Sequence, residues 1–538
     1  MLMSENAERL AAPDIDELRN LILNSFRVRQ NQDPVYVDIS GNLGRIGAPQ
    51  HQMIFGRRGS GKSCLFVHYQ KTHATDSVPP IYILADEFKR LTYPDVLIRL
   101  LIEILNGVPT KGAWWKKILR IQTPAEAKAK ELRALLELAE EADVTAAQKS
   151  SRKDGAKAGS GAGRLKVEAN RESAQEQSRS TSFREKKIES LERYMRDYKD
   201  AIQASLKTWG QPNVPVLIDD FYLFPRDKQA DILDYLHRFV RDTNLYLKIG
   251  TIRHRTTLLK NENQAIGVEL GQDIEEISLD RTLEDLDTTQ TFLYQMLRTL
   301  AERVGIKDIE NCFNRDALQA LTLVSGGVPR DFLNIFVNAI NAARGENSVR
   351  WLTPTLIYKG AGRLSYNQKL KNLKDDAGVD ITGLERVFVD LLRFCLKETR
   401  KTAFLISQEE AQTHRTEHDL VQQLMDFKLI HVVEPDTSAA SGRPGRYEAY
   451  TLDFSLFTEP RRRGIEIVEF WKIDENRRRV GIREAPVYPL PRVKEAFGDD
   501  SARTNPENEV DEILGEDADG GDAQQEAAAD AQPLAPRG

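Results

Sequence analysis

A short stretch of the sequence combines glycines, a lysine and a serine at a spacing that suits phosphate binding. In such a loop, backbone amides turn inward around the phosphate, the lysine reaches its oxygens and the serine hydroxyl can ligate Mg²⁺. An apolar segment precedes the loop and a helical segment follows it, so the helix would direct its positive end toward the same phosphates. The pattern predicts a nucleotide site formed by Gly56, Arg57, Arg58, Gly59, Ser60, Gly61, Lys62, Ser63 and Cys64.

Two adjacent carboxylates close an apolar run, VLIDD, that lies about 155 residues beyond the glycine loop. Phosphoryl transfer needs one carboxylate near the metal ion and another group that orients the attacking water. We therefore predict that Asp219 belongs to the Mg²⁺ site together with Ser63, and that Asp220 is the catalytic base. The alternative is an acidic pair that ends a strand and has no catalytic part.

Three further residues are predicted to read the terminal phosphate. Thr251 and Arg253 end the strand-like segment KIGTIR, which would lie beside the strand of Asp219. Arg330 stands in SGGVPRDFL, at the start of a helix from which a guanidinium could reach back to the phosphates. The alternatives are solvated arginines, or an Arg330 paired with Asp331.

The elements that must position these residues alternate between strands and helices. Strand signals occur at MIF, PPIYILADEF, VPVLIDDFYLF, LYLKIGTIR and, more weakly, EEISLD, and helical segments separate them. This alternation is typical of a parallel sheet with helices on both faces. The sequence therefore predicts the α/β core of a P-loop NTPase.

Beyond the core the pattern becomes helical and then mixed. The helical part predicts a lid, and three helices followed by a two-stranded hairpin with a basic loop predict a winged helix. The predicted units are an N-terminal helix and lead-in (1–34), the α/β core (35–283), the helical lid (284–366), the winged helix (380–456), a basic extension (457–497) and a disordered acidic tail (498–538).

A long insertion, residues 109–208, separates the second and third strands of the core. Both of its ends have the pattern of amphipathic helices, and residues 148–182 between them have the composition of a flexible linker. We predict an antiparallel helical hairpin that mediates self-association or binds a protein partner, with a spacer lacking any function as the alternative. The second helix has a near-heptad apolar seam at Ile188, Leu191, Met195, Tyr198, Ile202 and Leu206.

Composition separates a folded body from its tail and excludes several protein classes. Residues 499–538 hold 12 acids and 2 bases, whereas the whole chain carries a net charge of −6, so the tail is predicted to be disordered. No apolar run approaches the ~20 residues of a membrane helix, and the N-terminus lacks the layout of a signal peptide. The three cysteines are scattered and form neither a disulfide framework nor a metal knuckle. We expect a cytoplasmic protein.

The order of the motifs resembles that of the AAA+ ATPases. The glycine loop, VLIDD, KIGTIR and SGGVPR stand where those proteins have their Walker A, Walker B, sensor 1 and sensor 2 motifs. With its predicted winged helix the chain is most similar to the origin-recognition and replication-initiator clade, over roughly residues 35–456. This resemblance implies ATP and Mg²⁺ as ligands, ATP hydrolysis, and duplex DNA as a partner.

The sequence departs from that family in ways that bear on hydrolysis. Walker B motifs of AAA+ proteins usually end in Asp-Glu, and Asp220 shortens the reach to the water, so we expect slow hydrolysis. Arg253 at a strand end beside an Asp-Asp pair is similar to the STAND (NB-ARC-like) ATPases, which act as slow nucleotide switches. An arginine finger is not obvious, although Arg255 and Arg281 are possible.

Charge leaves the role of the predicted winged helix open. Its third helix begins TEHDLVQQ, and the acidic side chains there would repel phosphates. DNA contact by the wing and the extension is one hypothesis, and a protein-interaction role is the other. His414 and His418 lack an evident third ligand, so we expect no metal site there. The basic residues predicted to contact DNA are Arg443, Arg446, Arg461, Arg462 and Arg463.

Two functions are consistent with this pattern. The first is an ATP-dependent switch of the AAA+ type, in which ATP read by Arg330 sets the posture of the winged helix on DNA. The second is a STAND-like signalling or defence ATPase that oligomerises or recruits a protein partner in response to ATP, without binding DNA. A metabolic P-loop kinase would have no use for the lid and the winged helix.

Overall fold

The computed structural model divides the chain into two compact units. The central unit is Arg27–Asp280, and the terminal unit combines Met1–Phe26 with Arg281–Gly538. The terminal unit begins with helix α1 (Pro13–Ser25). The structure describes residues 9–26, 36–73, 78–109, 122–137, 184–207, 210–261, 264–347, 350–362, 369, 371, 381–440, 444–456, 464–475, 479, 481–498, 510, 512 and 513.

A parallel sheet of five strands forms the centre of the central unit, and its spatial order is β2-β3-β4-β1-β7. All five predicted strands are present, whereas the short antiparallel pair β5–β6 was not predicted. Because the sheet is parallel, the carboxyl ends of its strands meet at one edge. The strands of this unit are β1 (Gln52–Phe55), β2 (Ile81–Leu84), β3 (Val214–Asp219), β4 (Leu245–Thr251), β5 (Leu259–Asn261), β6 (Ala265–Gly267) and β7 (Glu275–Ser278).

Helices cover both faces of this sheet, as the alternating pattern predicted. Alternate residues of each strand point to opposite faces, so Met53 and Phe55 join one apolar cluster while Ile54 joins the other. The layered arrangement fits the α/β core of a P-loop NTPase. The helices of this unit are α2 (Asn42–Ile46), α3 (Lys62–Thr72), α4 (Asp95–Gly107), α5 (Met195–Lys207) and α6 (Arg226–Val240), with further helical segments at 124–137 and 184–193.

The described ends of the long insertion are helical, and they belong to the core of the central unit. The amide of Ala125 donates to the Ser205 hydroxyl oxygen at 3.3 Å, so the start of the first helix lies beside the end of the second, as in an antiparallel pair. Residues 138–183, which include the predicted linker, lie outside the described residues.

The predicted seam of the insertion packs inside its own unit. Leu191, Ile202 and Leu206 are each no more than 1% exposed. The Tyr198 ring lies 6.4 Å from the ring of Phe239 in α6. These apolar side chains therefore contribute to the core and do not form an exposed coiled-coil surface.

The first part of the terminal unit is helical. It contains α7 (Leu286–Arg303), α8 (Ala317–Val324), α9 (Pro329–Gly345) and a helix at 354–362. The N-terminal α1 packs on α7 and α9, where Arg344 pairs with Asp16 at 2.7 Å and donates to the carbonyl of Leu10. The N-terminal helix is thus part of this helical layer.

The second part of the terminal unit combines helices with an antiparallel sheet of three strands in the order β8-β10-β9. The two predicted strands are β9 and β10. The prediction of a two-stranded sheet was incomplete because β8, with sequence AFLIS, is a short apolar run without alternation, which periodicity cannot distinguish from a buried helical segment. The elements are α10 (Ile381–Arg393), β8 (Ala403–Ser407), α11 (Gln408–Thr413), α12 (Arg415–Asp426), β9 (Ile430–Thr437) and β10 (Tyr447–Leu452).

The described part of the basic extension folds back onto this sheet. The amide of Leu405 in β8 donates to the carbonyl of Pro486 at 2.8 Å, and the amide of Tyr488 donates to the carbonyl of Leu405 at 2.8 Å. The following helix α13 (Pro491–Gly498) packs on α10, and Arg492 pairs with Asp390 at 2.8 Å. The extension therefore covers the open edge of β8.

No helix within the described ranges is long and apolar enough to cross a bilayer. The described residues also contain no group of three or more His, Cys, Asp or Glu side chains placed to hold a metal ion. His418 instead lies 2.8 Å from a carboxylate oxygen of Glu448.

Candidate nucleotide site

The glycine loop connects β1 to α3 at the carboxyl edge of the central sheet. Its last glycine, Gly61, has a left-handed conformation with φ 104° and is the N-cap of α3, so no side chain caps the helix. The first turn of an α-helix leaves its amides without intrahelical acceptors. The loop and helix thus present backbone N–H groups, together with the positive end of the helix dipole, at the same point.

Lys62 and Ser60 occupy the interior of this loop. Lys62 is 5% exposed, and its Nζ donates to the carbonyl of Gly56 at 2.5 Å. A Cβ on Gly56 would lie 2.2 Å from the hydroxyl oxygen of Ser60, which explains the glycine at that position. The Ser60 hydroxyl is buried and has no hydrogen-bond partner in the described part of the chain, so it is a donor suited to a phosphate oxygen.

The remaining loop residues differ in how they can serve a ligand. The backbone amide of Arg57 donates to Asp280 Oδ1 at 2.8 Å, and its side chain pairs with the same carboxylate. Arg58 Nε donates to the hydroxyl of Tyr222 at 3.3 Å. Cys64 is half-buried in the first turn of α3. The side chain of Arg57 therefore stabilises the glycine loop, whereas that of Arg58 contacts the segment that follows β3.

Asp219 ends β3 in a fully buried position. It accepts a hydrogen bond from the Tyr82 hydroxyl at 3.2 Å, and the Ser63 hydroxyl is also hydrogen-bonded to it. Burial and the charge of Asp220 raise the pKa of Asp219 to about 6, while Ser63, Lys62 and Tyr82 oppose that rise. The loop serine and the β3 carboxylate are thus adjacent, as their predicted joint role requires.

Gly250 in β4 makes room for that carboxylate. A Cβ at this position would lie 3.1 Å from Asp219 Oδ1 and 2.9 Å from the ring of Phe66. Both Gly250 and Tyr82 were missed by the sequence reasoning. The only sequence signal was their place in predicted strands next to β3, since a contact between strands leaves no local pattern.

Asp220 follows in a left-handed conformation, with φ 57° and ψ 38°. Its backbone amide donates to Asp219 Oδ1 at 3.0 Å. A non-glycine residue in this region of φ/ψ space is uncommon, and such residues cluster at functional sites. The conformation turns the chain sharply at the end of β3, beside the glycine loop.

The next two predicted residues lie at the end of β4 and in the 3-10 turn that follows it. Thr251 is fully buried, and its carbonyl accepts from the amide of Gly56 at 3.1 Å. The Arg253 guanidinium lies over the ring of Phe55, 4.2 Å from its centroid, and pairs with Glu276 of β7. Thr251 is therefore tied to the first residue of the glycine loop, and Arg253 lies beside the residue just before it.

The other predicted residues belong to the terminal unit or lie outside the described residues. Arg330 is the second residue of α9 in the terminal unit, next to Asp331, whose carboxylate pairs with Lys428 at 3.0 Å. Arg446 pairs with Asp436 at 2.5 Å, and both side chains are exposed. Arg443 and Arg461, Arg462 and Arg463 lie outside the described residues. Of the predicted set, the structure brings together the glycine loop, Asp219, Asp220, Thr251 and Arg253.

These residues fit a nucleoside triphosphate with Mg²⁺. The unpartnered Ser60 hydroxyl and the buried ammonium of Lys62 suit phosphate oxygens. The hydroxyl of Ser63 and the carboxylate of Asp219 are hard oxygen ligands, which Mg²⁺ prefers. When bound, Mg²⁺ would supply positive charge that polarises the phosphoryl oxygens.

Comparison with known proteins finds distant structural similarity. No family model matches the chain, and no curated protein matches its sequence. The chain is similar to Drosophila ORC bound to DNA, with 11% identity over 82% of this chain and 89% of that one and a TM-score of 0.33. It is similar to the Aeropyrum pernix ORC1 protein in complex with DNA, with 14% identity, coverages of 82% and 89% and a TM-score of 0.30. A Walker-type ATPase of Pyrococcus abyssi gives 12% identity, coverages of 80% and 97% and a TM-score of 0.37.

Proposed function

We propose that the chain is an ATPase of the AAA+ type that binds ATP with Mg²⁺ in the central unit and hydrolyses it slowly, as a switch. One observation carries this proposal. The buried carboxylate of Asp219 is hydrogen-bonded to Ser63 of the glycine loop and lies in the field of Lys62. A loop hydroxyl bonded to a strand-end carboxylate, with a lysine close by, is the arrangement that P-loop enzymes use for Mg²⁺ and the phosphates.

Each residue of the site has a different role in this reaction. Lys62, Ser60 and the amides of the loop bind and orient the phosphates, and Ser63 and Asp219 hold the metal ion. Asp220 orients the attacking water and accepts its proton. Its side chain is short and its backbone is fixed by the bond to Asp219, which supports a slow step. Thr251 and Arg253 complete the site as groups that contact the terminal phosphate, whereas the role of Arg330, which belongs to the terminal unit, stays a prediction.

The length of the Asp220 side chain provides a test. Asp220→Asn should keep ATP binding within about threefold and reduce hydrolysis about 10²-fold or more, because general base catalysis contributes roughly 10²–10⁴. Asp220→Glu should hydrolyse ATP faster than the wild type, since the added methylene extends the carboxylate toward the water. Single-turnover hydrolysis with purified full-length protein measures both. Wild-type hydrolysis by Asp220→Asn would show that Asp220 is not the base.

We propose further that the switch acts on duplex DNA through α10–α12 and the strands β8–β10, taken as a winged helix. The exposed Arg446 just before β10 supports this proposal. Binding should weaken steeply with salt because phosphate contacts release counterions. Arg446→Glu should weaken it further, whereas Arg315→Glu, an exposed control, should not. An absence of duplex binding at low salt, with and without ATP, would contradict the proposal.

The second candidate is a STAND-like switch in which ATP drives self-association or recruits a protein partner. The charge of α12 favours it, since Asp419 is exposed there and Arg446 is already paired with Asp436. Mass measurements with ATP, ADP and no nucleotide distinguish the two functions. A mass that rises with ATP alone supports the STAND-like switch, and equal masses in all three conditions count against it.

A further inference from the structure

Two arginine side chains contact Tyr222 at the carboxyl edge of the central sheet. It lies in the short 3-10 turn Phe221–Leu223 that follows Asp220, and it is 6% exposed. The Arg58 guanidinium donates to its hydroxyl at 3.3 Å, with Cζ 5.9 Å from the ring centroid. The Arg255 guanidinium lies over the same ring at 4.7 Å. The ring of Tyr222 therefore contacts one arginine from the glycine loop and one arginine from the loop after β4.

Gln229 of α6 fixes the two loops to each other. Its side chain is fully buried, and its Nε2 lies 3.4 Å from the carbonyl oxygen of Tyr222 and 3.3 Å from that of Arg255. Its Oε1 accepts from the amide of Thr257 at 2.8 Å. A single amide side chain thus sets the position of Tyr222 relative to the segment that carries Arg255.

The charges around this ring favour an anion in the same place. A guanidinium gains from lying over an aromatic face, by ~0.5–2 kcal/mol depending on its exposure. Two guanidiniums on one ring repel each other, however. The charge of Asp220 offsets part of that repulsion, and a phosphate beside the two arginines would offset more of it. The charge of Asp220 acts on the Tyr222 hydroxyl together with those of Arg58 and Arg255. The ring is therefore close to the carboxylate proposed to orient the attacking water.

We propose that Arg58 and Arg255 form an arginine pair, supplied by this chain itself, that contacts the terminal phosphate of bound ATP. Tyr222 and Gln229 are positioning residues, since they act through the two arginines. This inference rests on the proposed function, because it requires ATP in the glycine loop. It gives the central unit the charge that an arginine finger from a second protein supplies in other P-loop enzymes, where such a finger is worth about 10³–10⁵ in rate.

The relative affinity for ATP and ADP tests this inference most directly. In equilibrium titrations of the full chain, Arg255→Ala should weaken ATP binding about tenfold or more, because a charge-assisted hydrogen bond is lost. ADP lacks the terminal phosphate, so its affinity should stay within about twofold. Arg241→Ala, an exposed arginine of the same unit, is the matched control and should change neither affinity.

The positioning residues give a graded prediction. Tyr222→Phe keeps the ring but loses the hydroxyl that accepts from Arg58, so it should have a smaller effect on ATP affinity than Tyr222→Leu. Gln229→Leu should resemble Tyr222→Leu, and Arg255→Lys should recover part of the loss of Arg255→Ala. Thermal unfolding of each variant shows whether it folds, and Arg255→Lys and Tyr222→Phe remain informative if the larger changes do not fold.

The rate of ATP hydrolysis provides a second test of the arginine pair. The rate per molecule of the wild type should not depend on protein concentration, and Arg255→Ala should lower it about 10²-fold or more. The arginine pair is contradicted if Arg255→Ala weakens ATP and ADP equally, or if it changes neither affinity. The proposed function itself fails if the wild type binds no nucleotide or if Lys62→Ala binds ATP as the wild type does. The two failures are thus distinguishable.

Discussion

At the scale of single residues, the site depends on a carboxylate that is buried but surrounded by groups that favour its ionised form. Burial and the charge of Asp220 raise the pKa of Asp219, and Ser63, Lys62 and Tyr82 offset part of that rise. A hydroxyl donor and a nearby ammonium are what a buried carboxylate needs to remain ionised. The same contacts hold it beside the glycine loop.

Gly250 is predicted to be essential to this arrangement. In Gly250→Ala the new methyl group would press on Phe66 at 2.9 Å and on Asp219 at 3.1 Å, so the carboxylate must move. We expect Mg²⁺-dependent ATP binding to weaken about tenfold or more, with stability reduced by about 1–3 kcal/mol from overpacking. Titrations with and without Mg²⁺ measure the effect.

Gly44→Ala is the matched control for that substitution, since a Cβ there meets nothing within 4 Å. It should leave Mg²⁺-dependent binding unchanged. Unaltered Mg²⁺-ATP affinity in Gly250→Ala would mean that Asp219 does not need its present position.

The residues that could be predicted from the sequence are those that form one contiguous pattern. The glycine loop is such a pattern, and VLIDD is an apolar run with a polar end. Tyr82, Gly250 and Gln229 could not be predicted, because each acts across strands or loops that only the fold brings together. Tyr82, for example, precedes Asp219 by 137 residues.

At the scale of elements, the order of the strands determines which residues meet. β4 lies between β1 and β3, which places Thr251 beside both the glycine loop and Asp219. Local periodicity predicted all five strands of the central sheet but not their order, because order depends on pairing between distant segments. The same limit applies to β8, whose partner β10 lies about 40 residues further along the chain.

The insertion helix α5 is predicted to be structural on its apolar face. Ile202 is fully buried there, so Ile202→Ala should lower the free energy of unfolding of the central unit by about 2–5 kcal/mol. Arg196→Ala, on the exposed face of the same helix, should change it by less than ~0.5 kcal/mol. Denaturant unfolding compares the two, and equal small effects would mean that the seam is not part of the core.

At the scale of the whole molecule, the terminal unit is held together by buried ion pairs between segments distant in sequence. Asp453 is fully buried and lies 2.7 Å from His431 and 2.6 Å from Lys369. Burial alone would raise its pKa, but these two partners hold it below its ordinary range. Lys428, just before β9, pairs with Asp331 of α9. Pattern analysis predicted the helices and strands involved but not these pairs, since charge spacing along the chain does not reveal them.

Lys428 should make the stability of the terminal unit depend on pH. Burial lowers its pKa from 10.5 to about 8, against the attraction of Asp331. Between these values the unfolded chain binds more protons than the folded one, so this lysine makes stability rise with pH, by at most ~1.4 kcal/mol per pH unit. Below pH 8 the buried amine is protonated in the folded chain as well, so the full free-energy cost of burying its charge then lowers the stability.

Comparing the wild type with Lys428→Met separates the pH dependence that Lys428 causes from that of the other titrating groups. Burial raises the pKa of Cys312 to about 11 and also raises that of Cys395, and both thiols make stability fall as pH rises. They contribute equally to wild type and variant, so the difference in unfolding free energy between pH 8 and 10 reports Lys428 alone. A difference that is constant with pH would contradict the lowered pKa.

The proposed function depends above all on ATP binding by the glycine loop of the central unit. Calorimetric titration of ATP with Mg²⁺ into the full chain tests it most directly, with Lys62→Ala and Lys89→Ala as a matched pair, since Lys89 is exposed. We predict a dissociation constant of ~1 μM, a binding free energy of about −8 kcal/mol, for the wild type and for Lys89→Ala. In Lys62→Ala we predict an affinity at least about 100-fold lower. Wild-type affinity in Lys62→Ala would contradict the proposed function.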